Sequence, residues 1–432
     1  MQFRYDLNDR PPFAELLILG FQWFALSIPT IAIIGKIVGA VQALAPIDQI
    51  GYIQKMLFVV SVALFFQILW GHRLPLILGP STVLLIGIIS SQGFEADAVY
   101  SSILLGGLIL TALSISGLFR YLQRLFTPRV IATVLILIAL TLAPTVMNLI
   151  TVAEQRVPPI INLAFSIALT MGLFVCYRFM RGIWRSTVIL WAIIGGSTFY
   201  FLIFPQCFVA EALFWGSPVS LFFSGLTTHL SIEPGVLISF LFCFFALSIN
   251  DLGSIQSMKE LVDPPRMGQR ISRGITLTGL ANVAAGFFGV IGPVNFSLSP
   301  GVITATGNAS RFTLLPASML LFLLSFSPFV VSLMGNIPPV VVGSVLVYIL
   351  SYQVAAGLIV AFQPGKTFEL RDGLVVGLPI LLGTIVAFLP ASVLSAFPPV
   401  LRPIIGNGFV IGVISTLTLE HGIFFLKYPG NP

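Results

Sequence analysis

The amino-acid sequence predicts an all-α membrane protein of fourteen transmembrane segments, built as two seven-segment halves in inverted orientation (7+7), with short strands and half-helices in segments 3 and 10. Three observations carry this expectation. The 432 residues are 57% hydrophobic and 8% charged, whereas a soluble domain is about one-quarter charged. A stretch in the first segment recurs in the eighth, and segments 3 and 10 are interrupted in the same way.

Apolar runs such as 130–146, 160–177 and 312–333, with their flanks, match the ~20 residues a helix needs to cross the hydrocarbon core. Read between Pro, Gly and charged punctuation, the segments begin near Phe13, Gln54, Leu78, Ser101, Val130, Ile160, Trp184, Pro234, Gly274, Ser299, Arg311, Pro338, Asp372 and Pro403. The opening Met1-Gln2-Phe3-Arg4-Tyr5-Asp6 lacks the charged, apolar, small-residue order of a cleavable leader, so the first segment is expected in the mature protein. A formal charge of +6 invites a nucleic-acid reading, but in a membrane protein the position of charge decides. With the N-terminus cytoplasmic, all of the 21 lysines and arginines except Lys36, Lys55, Arg156 and Arg402 fall on the cytoplasmic side. That asymmetry is the positive-inside rule, and it places both termini in the cytoplasm with no nucleic-acid partner.

The repeat is legible directly. Phe21-Gln22-Trp23-Phe24-Ala25-Leu26-Ser27-Ile28 returns as Phe242-Cys243-Phe244-Phe245-Ala246-Leu247-Ser248-Ile249, six of eight positions identical at an offset of 221 residues (242 less 21). An offset of seven segments reverses the direction of crossing, so the copies form an inverted repeat. The same offset pairs Thr30 with Asp251.

Segments 3 and 10 each begin extended and then start a short helix. Leu74-Pro75-Leu76-Ile77-Leu78 leads to Gly79-Pro80-Ser81-Thr82, and Pro293-Val294-Asn295-Phe296-Ser297-Leu298 leads to Ser299-Pro300-Gly301. Proline suits a first helical position, and Gly79 and Ser299 suit the cap. Half-helices starting near the midplane present unpaired N–H groups and a positive dipole end. Such backbone is tolerated only where protein or a polar cavity satisfies it, the arrangement of a secondary transporter site.

These residues resemble the xanthine/uracil permease family, the nucleobase-ascorbate transporters (nucleobase:cation symporter type 2), nearly end to end. The resemblance rests on Asp9-Arg10-Pro11-Pro12, on Gln22, on Pro75-Leu76-Ile77-Leu78-Gly79, and on Gly301-Val302-Ile303 followed by Thr306 and Arg311. Segment 8 adds Asn250-Asp251-Leu252-Gly253, where the family usually shows Glu-x-x-Gly. The resemblance implies a core domain (residues 13–125 and 234–335, segments 1–4 and 8–11) and a gate domain (126–205 and 336–427, segments 5–7 and 12–14) that move against one another. It implies secondary active transport of uracil, xanthine or a related base by alternating access, as a homodimer in the cell membrane. The partners are then a small solute and the bilayer, with a coupling proton or sodium ion and no other cofactor.

The chain departs from the family pattern at its acids. Asn250 stands at the segment 8 carboxylate position, Leu298-Ser299-Pro300 replaces the Glu or Gln region of segment 10, and Trp23 follows Gln22 where the family commonly has His. Recognition of a base then falls to neutral amides and hydroxyls. The candidate substrate-binding residues are Thr30, Ser81, Thr82, Asn250, Asn295, Phe296, Ser297, Ser299 and Gly301, with Asp251 for coupling. Each has a plainer reading: capping for Ser81, Thr82, Asn295, Ser297 and Ser299, an interhelical hydrogen bond for Asn250, and pairing with Lys259 or Arg270 for Asp251. Gly253 reads as a close-packing residue, Glu15 and Glu420 as interfacial, and His72, His229 and His421 as loop or interface residues.

Cys176, Cys207 and Cys243 are scattered in apolar runs, as packing residues are, and no metal-ligand spacing occurs. An intramembrane enzyme is disfavoured, since no His-Glu-x-x-His or Gly-x-Ser-x-Gly is present. The alternative within the same fold is a sulfate-permease-like carrier of a small anion, which two positive helix ends without acids would suit.

Overall fold

The computed structural model describes residues 3–152, 156–181, 184, 187–208, 222–296, 299–362 and 369–423. The first half runs α1 (Phe13–Val41), α2 (Pro46–Leu69), strand β1 (Leu78–Pro80), half-helix α3 (Thr82–Ser90), α4 (Ala96–Ile115), α5 (Pro128–Thr141), α6 (Ala143–Thr151), α7 (Pro159–Phe179) and α8 (Val188–Ile203). The second half runs α9 (Pro234–Val262), α10 (Met267–Phe287), β2 (Pro293–Asn295), α11 (Ser299–Thr306), α12 (Leu314–Ser325), α13 (Pro328–Gly335), α14 (Pro339–Ala361), α15 (Leu370–Ala387) and α16 (Gly408–Thr418).

Proline opens α2, α5, α7, α9, α13 and α14, where its missing N–H removes one of the donors that a helix start leaves unpaired. At α5 the Thr127 hydroxyl also accepts from Val130 N–H. All fourteen expected segments meet an element. Three helices start earlier than hydropathy predicts: α2 at Pro46 rather than Gln54, α4 at Ala96 rather than Ser101, and α10 at Met267 rather than Gly274. Their first turns carry Asp48, Asp97 and Arg270, polar residues that lengthen a helix beyond its apolar part.

Among the described residues eight helices are long and apolar enough to cross a membrane, or nine if α12 and α13, bent by 90°, count as one. Helices α8 and α16 are shorter apolar ones, α10 is long but more polar, and α3 and α11 are half-helices. The inverted repeat is explicit in the element lengths. Helices α1 and α9 are both 29 residues long and start 221 apart (234 less 13), and α2 and α10 start at the same offset (267 less 46).

The two halves meet at their interrupted segments. Strand β1 pairs antiparallel with β2 in the register Leu78↔Asn295, Gly79↔Val294, Pro80↔Pro293. Ser81 N–H to Gly292 O (3.0 Å) and Phe296 N–H to Ile77 O (2.9 Å) continue the ladder at both ends. The two prolines cannot donate, and they sit opposite one another at the end of the register.

The most extensive helix pairings are α4 with α10, α2 with α12, α5 with α14, and α15 with α16. Small residues allow the closest of them: a Cβ on Gly279 of α10 would lie 2.8 Å from Gly107 O and 2.9 Å from Thr111 N of α4. Gly253 behaves otherwise than the sequence suggested. It lies on an exposed face of α9, and an added Cβ meets nothing within 4 Å.

Two further expectations are corrected. Glu420 is buried beyond the end of α16, and its carboxylate takes Arg129 Nη1 at 3.0 Å. The same guanidinium reaches Asp372 of α15 at 2.5 Å, which ties three segments together. His72 is no surface loop residue but fully buried between α2 and β1.

Gly279→Leu is expected to destabilise the detergent-solubilised protein by about 1–3 kcal/mol through overpacking against backbone. Gly253→Ala is expected to leave the thermal midpoint within a degree or so, about what an exposed substitution does.

Candidate functional site

Asn250 and Asp251 interrupt the apolar run of α9, and neighbouring residues on a helix point about 100° apart. They therefore serve two different places. Asn250 lines a cavity of about 260 Å³, while Asp251 turns to the back of the strand pair, fully buried.

The cavity is walled on one side by Thr30 of α1, Thr82 at the first turn of α3, Asn250, and Val294 and Phe296 of the β2 segment. The opposite wall is α14, with Leu346, Ile349, Tyr352, Gln353 and Ala356. The Phe296 ring covers Gly79, where an added Cβ would stand 2.3 Å from its edge, so the glycine sets how deep the ring lies. Thr30 Oγ1 donates to Ser27 O at 2.8 Å and keeps its lone pairs. Among the described residues the side chains of Thr82, Asn250 and Gln353 have no hydrogen-bonding partner. The lining thus holds three polar side chains with nothing to bind and a flat aromatic face, and among the described residues it includes no Lys, Arg, His, Asp or Glu.

Behind this wall lies a closed polar network. Leu74 N–H donates to His72 Nδ1 (2.9 Å), which leaves the proton on Nε2 to be donated to Asn295 Oδ1 (3.1 Å). Asn295 then gives its Nδ2 (2.5 Å) and its backbone N–H (3.2 Å) to Asp251 Oδ1. Asp251 Oδ2 is buried without a hydrogen-bond partner. Ser254 Oγ donates to Asn250 O and Asn295 O at 2.9 and 3.0 Å. Ser299 Oγ accepts from Ile77 N–H (3.0 Å) and donates to Phe296 O (3.2 Å), tying the first strand segment to the second half-helix.

Of the residues singled out by sequence, Thr30, Thr82, Asn250 and Phe296 converge on the cavity. Ser81 caps α3 by accepting from Leu84 N–H (3.3 Å), and Asn295, Ser299 and Asp251 belong to the network behind. Gly301 falls in the first turn of α11, and Ser297 lies outside the described residues. Asp251 does not pair with Lys259 or Arg270. The Arg270 guanidinium instead donates to His72 O and Arg73 O, both at 2.9 Å. Sequence reasoning missed Tyr352 and Gln353. The available signal was an amide in an otherwise apolar segment, Gln353 being the one Asn or Gln between Pro339 and Ala361.

Comparison with known proteins gives a consistent picture. The model of the Permease family (Xan_ur_permease) matches residues 14–392. The uric acid permease PucK of Bacillus subtilis is 25% identical over 431 residues, covering 96% of this chain and 97% of the relative. The xanthine permease of the same organism is 23% identical, covering 95% and 94%. Among solved structures, the transmembrane domain of the cyanobacterial bicarbonate transporter BicA superposes with a TM-score of 0.63 at 14% identity, covering 86% of this chain and 95% of that one. The structure of SLC26A9 gives 0.60 at 13% identity, covering 97% and 66%. At such identities the structural likeness speaks to the inverted-repeat fold alone.

Asn295→Ala would strip Asp251 of both the side-chain donor and its link to His72. The expected cost is about 1–3 kcal/mol of stability, the penalty of a buried polar group left unmatched. Thermal unfolding in detergent at neutral pH measures it, and an unchanged midpoint would show the network to be dispensable.

Proposed function

This chain belongs to the xanthine/uracil permease family of multi-pass membrane transporters, and from that premise we propose that it carries a nucleobase across the membrane by alternating access. The carrying observation is the cavity whose Thr82, Asn250 and Gln353 side chains have no hydrogen-bonding partner among the described residues and whose remaining lining is Thr30, Tyr352, Phe296 and aliphatic groups. A purine or pyrimidine base is planar and edged with donors and acceptors. Two amides, each with two donors and one acceptor of two lone pairs, can match such an edge while the Phe296 ring stacks on its face.

Thr30, Ser81, Thr82, Asn250, Asn295, Phe296, Ser299 and Gly301 form the solute site on this reading, Thr30, Thr82, Asn250 and Phe296 by contact and Ser81, Asn295, Ser299 and Gly301 by fixing the backbone around it; Ser297, also assigned to the site by sequence, lies outside the described residues. Thr30, Thr82, Asn250 and Phe296 belong to the proposed core domain, whereas Tyr352 and Gln353 belong to the proposed gate. Displacement of one domain against the other opens the cavity to each side in turn. Coupling runs through Asp251, which takes up a proton or sodium ion behind the strand pair. Neutralising it weakens the acceptor for Asn295 N–H and loosens the segment that carries Phe296. The protein works as a homodimer in the cell membrane, with both termini cytoplasmic.

An anion carrier of the same fold is less well supported. Relatives over nearly the whole chain are permeases of purines, and among the described residues no cationic side chain lines the cavity to hold an anion.

In proteoliposomes, labelled uric acid, xanthine or uracil is expected to accumulate, and sulfate and bicarbonate are not; entry of no base at all would refute the reading. Asn250→Ala is expected to raise the apparent Kd for the base by about tenfold, the loss of one or two hydrogen bonds. For coupling, Asp251→Asn is expected to abolish accumulation against a gradient while base-for-base exchange persists. If uphill uptake survives in this variant, the coupling site lies elsewhere.

A further inference from the structure

A second, apolar cavity of about 270 Å³ opens between α2 and α10, away from the solute site. Its floor runs along Phe58, Ala63 and Phe66 on one helix and Leu277, Ala281 and Phe288 on the other. At one end Phe58 packs against Phe288, Phe222, Phe322 and Phe326 at ring-centroid distances of 5.5–6.3 Å, which closes the groove. From Leu277 to Phe288 the helix rises about 16 Å. That is about half of the ~30 Å hydrocarbon core, the depth of one leaflet.

The other end of the groove is basic. The two helices run antiparallel there, as the bonds from Gln67 Nε2 to Gly274 O (2.8 Å) and Thr278 Oγ1 (3.1 Å) require. Continuing the groove-lining face by one turn in each direction leads from Phe66 to Trp70, which is 54% exposed and packs on Phe66 with ring centroids 5.3 Å apart, and from Leu277 to Arg273. Arg73, Arg270 and Arg311 gather at the same end of α2, with Arg10 also near enough to act on Arg311 as a like charge. Three of these guanidiniums cap the end of α2: Arg73 Nε donates to Leu69 O, Arg270 Nη1 to His72 O and Arg73 O, and Arg311 Nη1 to Ile68 O. Capping leaves much of the charge unmatched. Among the described residues none of the five arginines pairs with an acid, and Arg273 and the two Nη groups of Arg73 have no hydrogen-bonding partner.

From this juxtaposition of a leaflet-deep apolar groove and an uncompensated arginine cluster at its mouth, we propose that α2 and α10 hold an anionic phospholipid, one acyl chain in the groove and the phosphate headgroup against Arg73 and Arg273. Trp70 marks the water interface at which aromatic residues gather. The groove decides for a lipid over a free phosphate, since an inorganic ion would leave it unfilled. The bound lipid braces the α2–α10 pair, which carries Gln67, Thr278 and the loop holding His72.

The test is native mass spectrometry of the full chain in detergent, titrated with phosphatidylglycerol or with phosphatidylcholine of the same acyl chains. The anionic lipid is expected to bind several-fold tighter. Arg273→Gln, a change at an exposed residue with no hydrogen-bonding partner among the described residues, should lose about fivefold of that affinity and clearly less for phosphatidylcholine, whose choline offsets the phosphate charge. Ala281→Phe, which fills the groove, should weaken both lipids. Equal affinities of the wild-type chain for the two lipids would overturn the proposal, as would an equal loss in Arg178→Gln, an exposed arginine on α7, which packs mainly on α6, α8 and α14. So would inorganic phosphate raising the thermal midpoint as much as phosphatidylglycerol, which would make the site one for a free anion.

Discussion

Backbone groups in the middle of a membrane must find partners within the protein, and the rest of this structure follows from how that demand is met. Neither interrupted segment can satisfy itself. Each supplies three residues of strand, and only the antiparallel pairing of β1 with β2 closes the ladder. The outer edges of the strands are then served by side chains from the surrounding helices. Asn282 Nδ2 donates to Pro293 O at 2.9 Å, Ser254 Oγ to Asn295 O at 3.0 Å, and Ser299 accepts from Ile77 N–H. Polar residues that look misplaced in apolar helices are thus the completion of a sheet of two strands.

The same constraint separates the two polar regions. The network of His72, Asn295, Asp251, Ser254 and Ser299 is directed at protein, and almost every donor and acceptor in it is matched. The cavity groups are directed at nothing. A charge in lipid is costly and persists where it has a task, and here the acid has been moved one residue along α9, from the face that sees the cavity to the face that sees the strand. Asp251 therefore reaches Asn295, next to Phe296 of the cavity wall, and is not itself part of the cavity lining.

Much of this was legible in the sequence, for identifiable reasons. The octapeptide at Phe21 and Phe242 gave the inverted repeat, and Pro300 marked the second half-helix, because proline and a repeat offset leave traces in one dimension; in the first, Pro80 ends β1 and the cap is Ser81, whose hydroxyl can accept from Leu84 N–H, not the expected Gly79, which has no side chain to do so. Asn250 and Asp251 could be named, and helical geometry alone required that they face apart. His72 could not be placed, since a histidine next to an arginine reads as surface until the chain folds His72 under the strand pair. Gly253 was misread because a small residue in a helix signals close packing only when another helix approaches, and none does. Gln353 was missed for a related reason: the polar groups of the other wall, Thr30, Thr82 and Asn250, lie more than a hundred residues earlier in the chain.

The two walls also differ in how firmly they are held. On the side of α3, α9 and the strands, hydrogen bonds run between elements of both halves. Across the cavity α14 presents Leu346, Ile349, Ala355, Ala356 and Ile359 to Ile33, Ile34, Val294 and Phe296, an apolar contact with no hydrogen bond among the described residues. Apolar surfaces have no directional partners to lose, so they can part where water or lipid can take their place more readily than a hydrogen-bonded wall can. Gln353 and Asn250 line the cavity without a hydrogen bond to each other, and on the proposed function a solute that bonds to both supplies the polar link between the walls. Binding then favours the arrangement in which the walls are close, and release favours the one in which they separate, which is what alternation between two faces of the membrane requires.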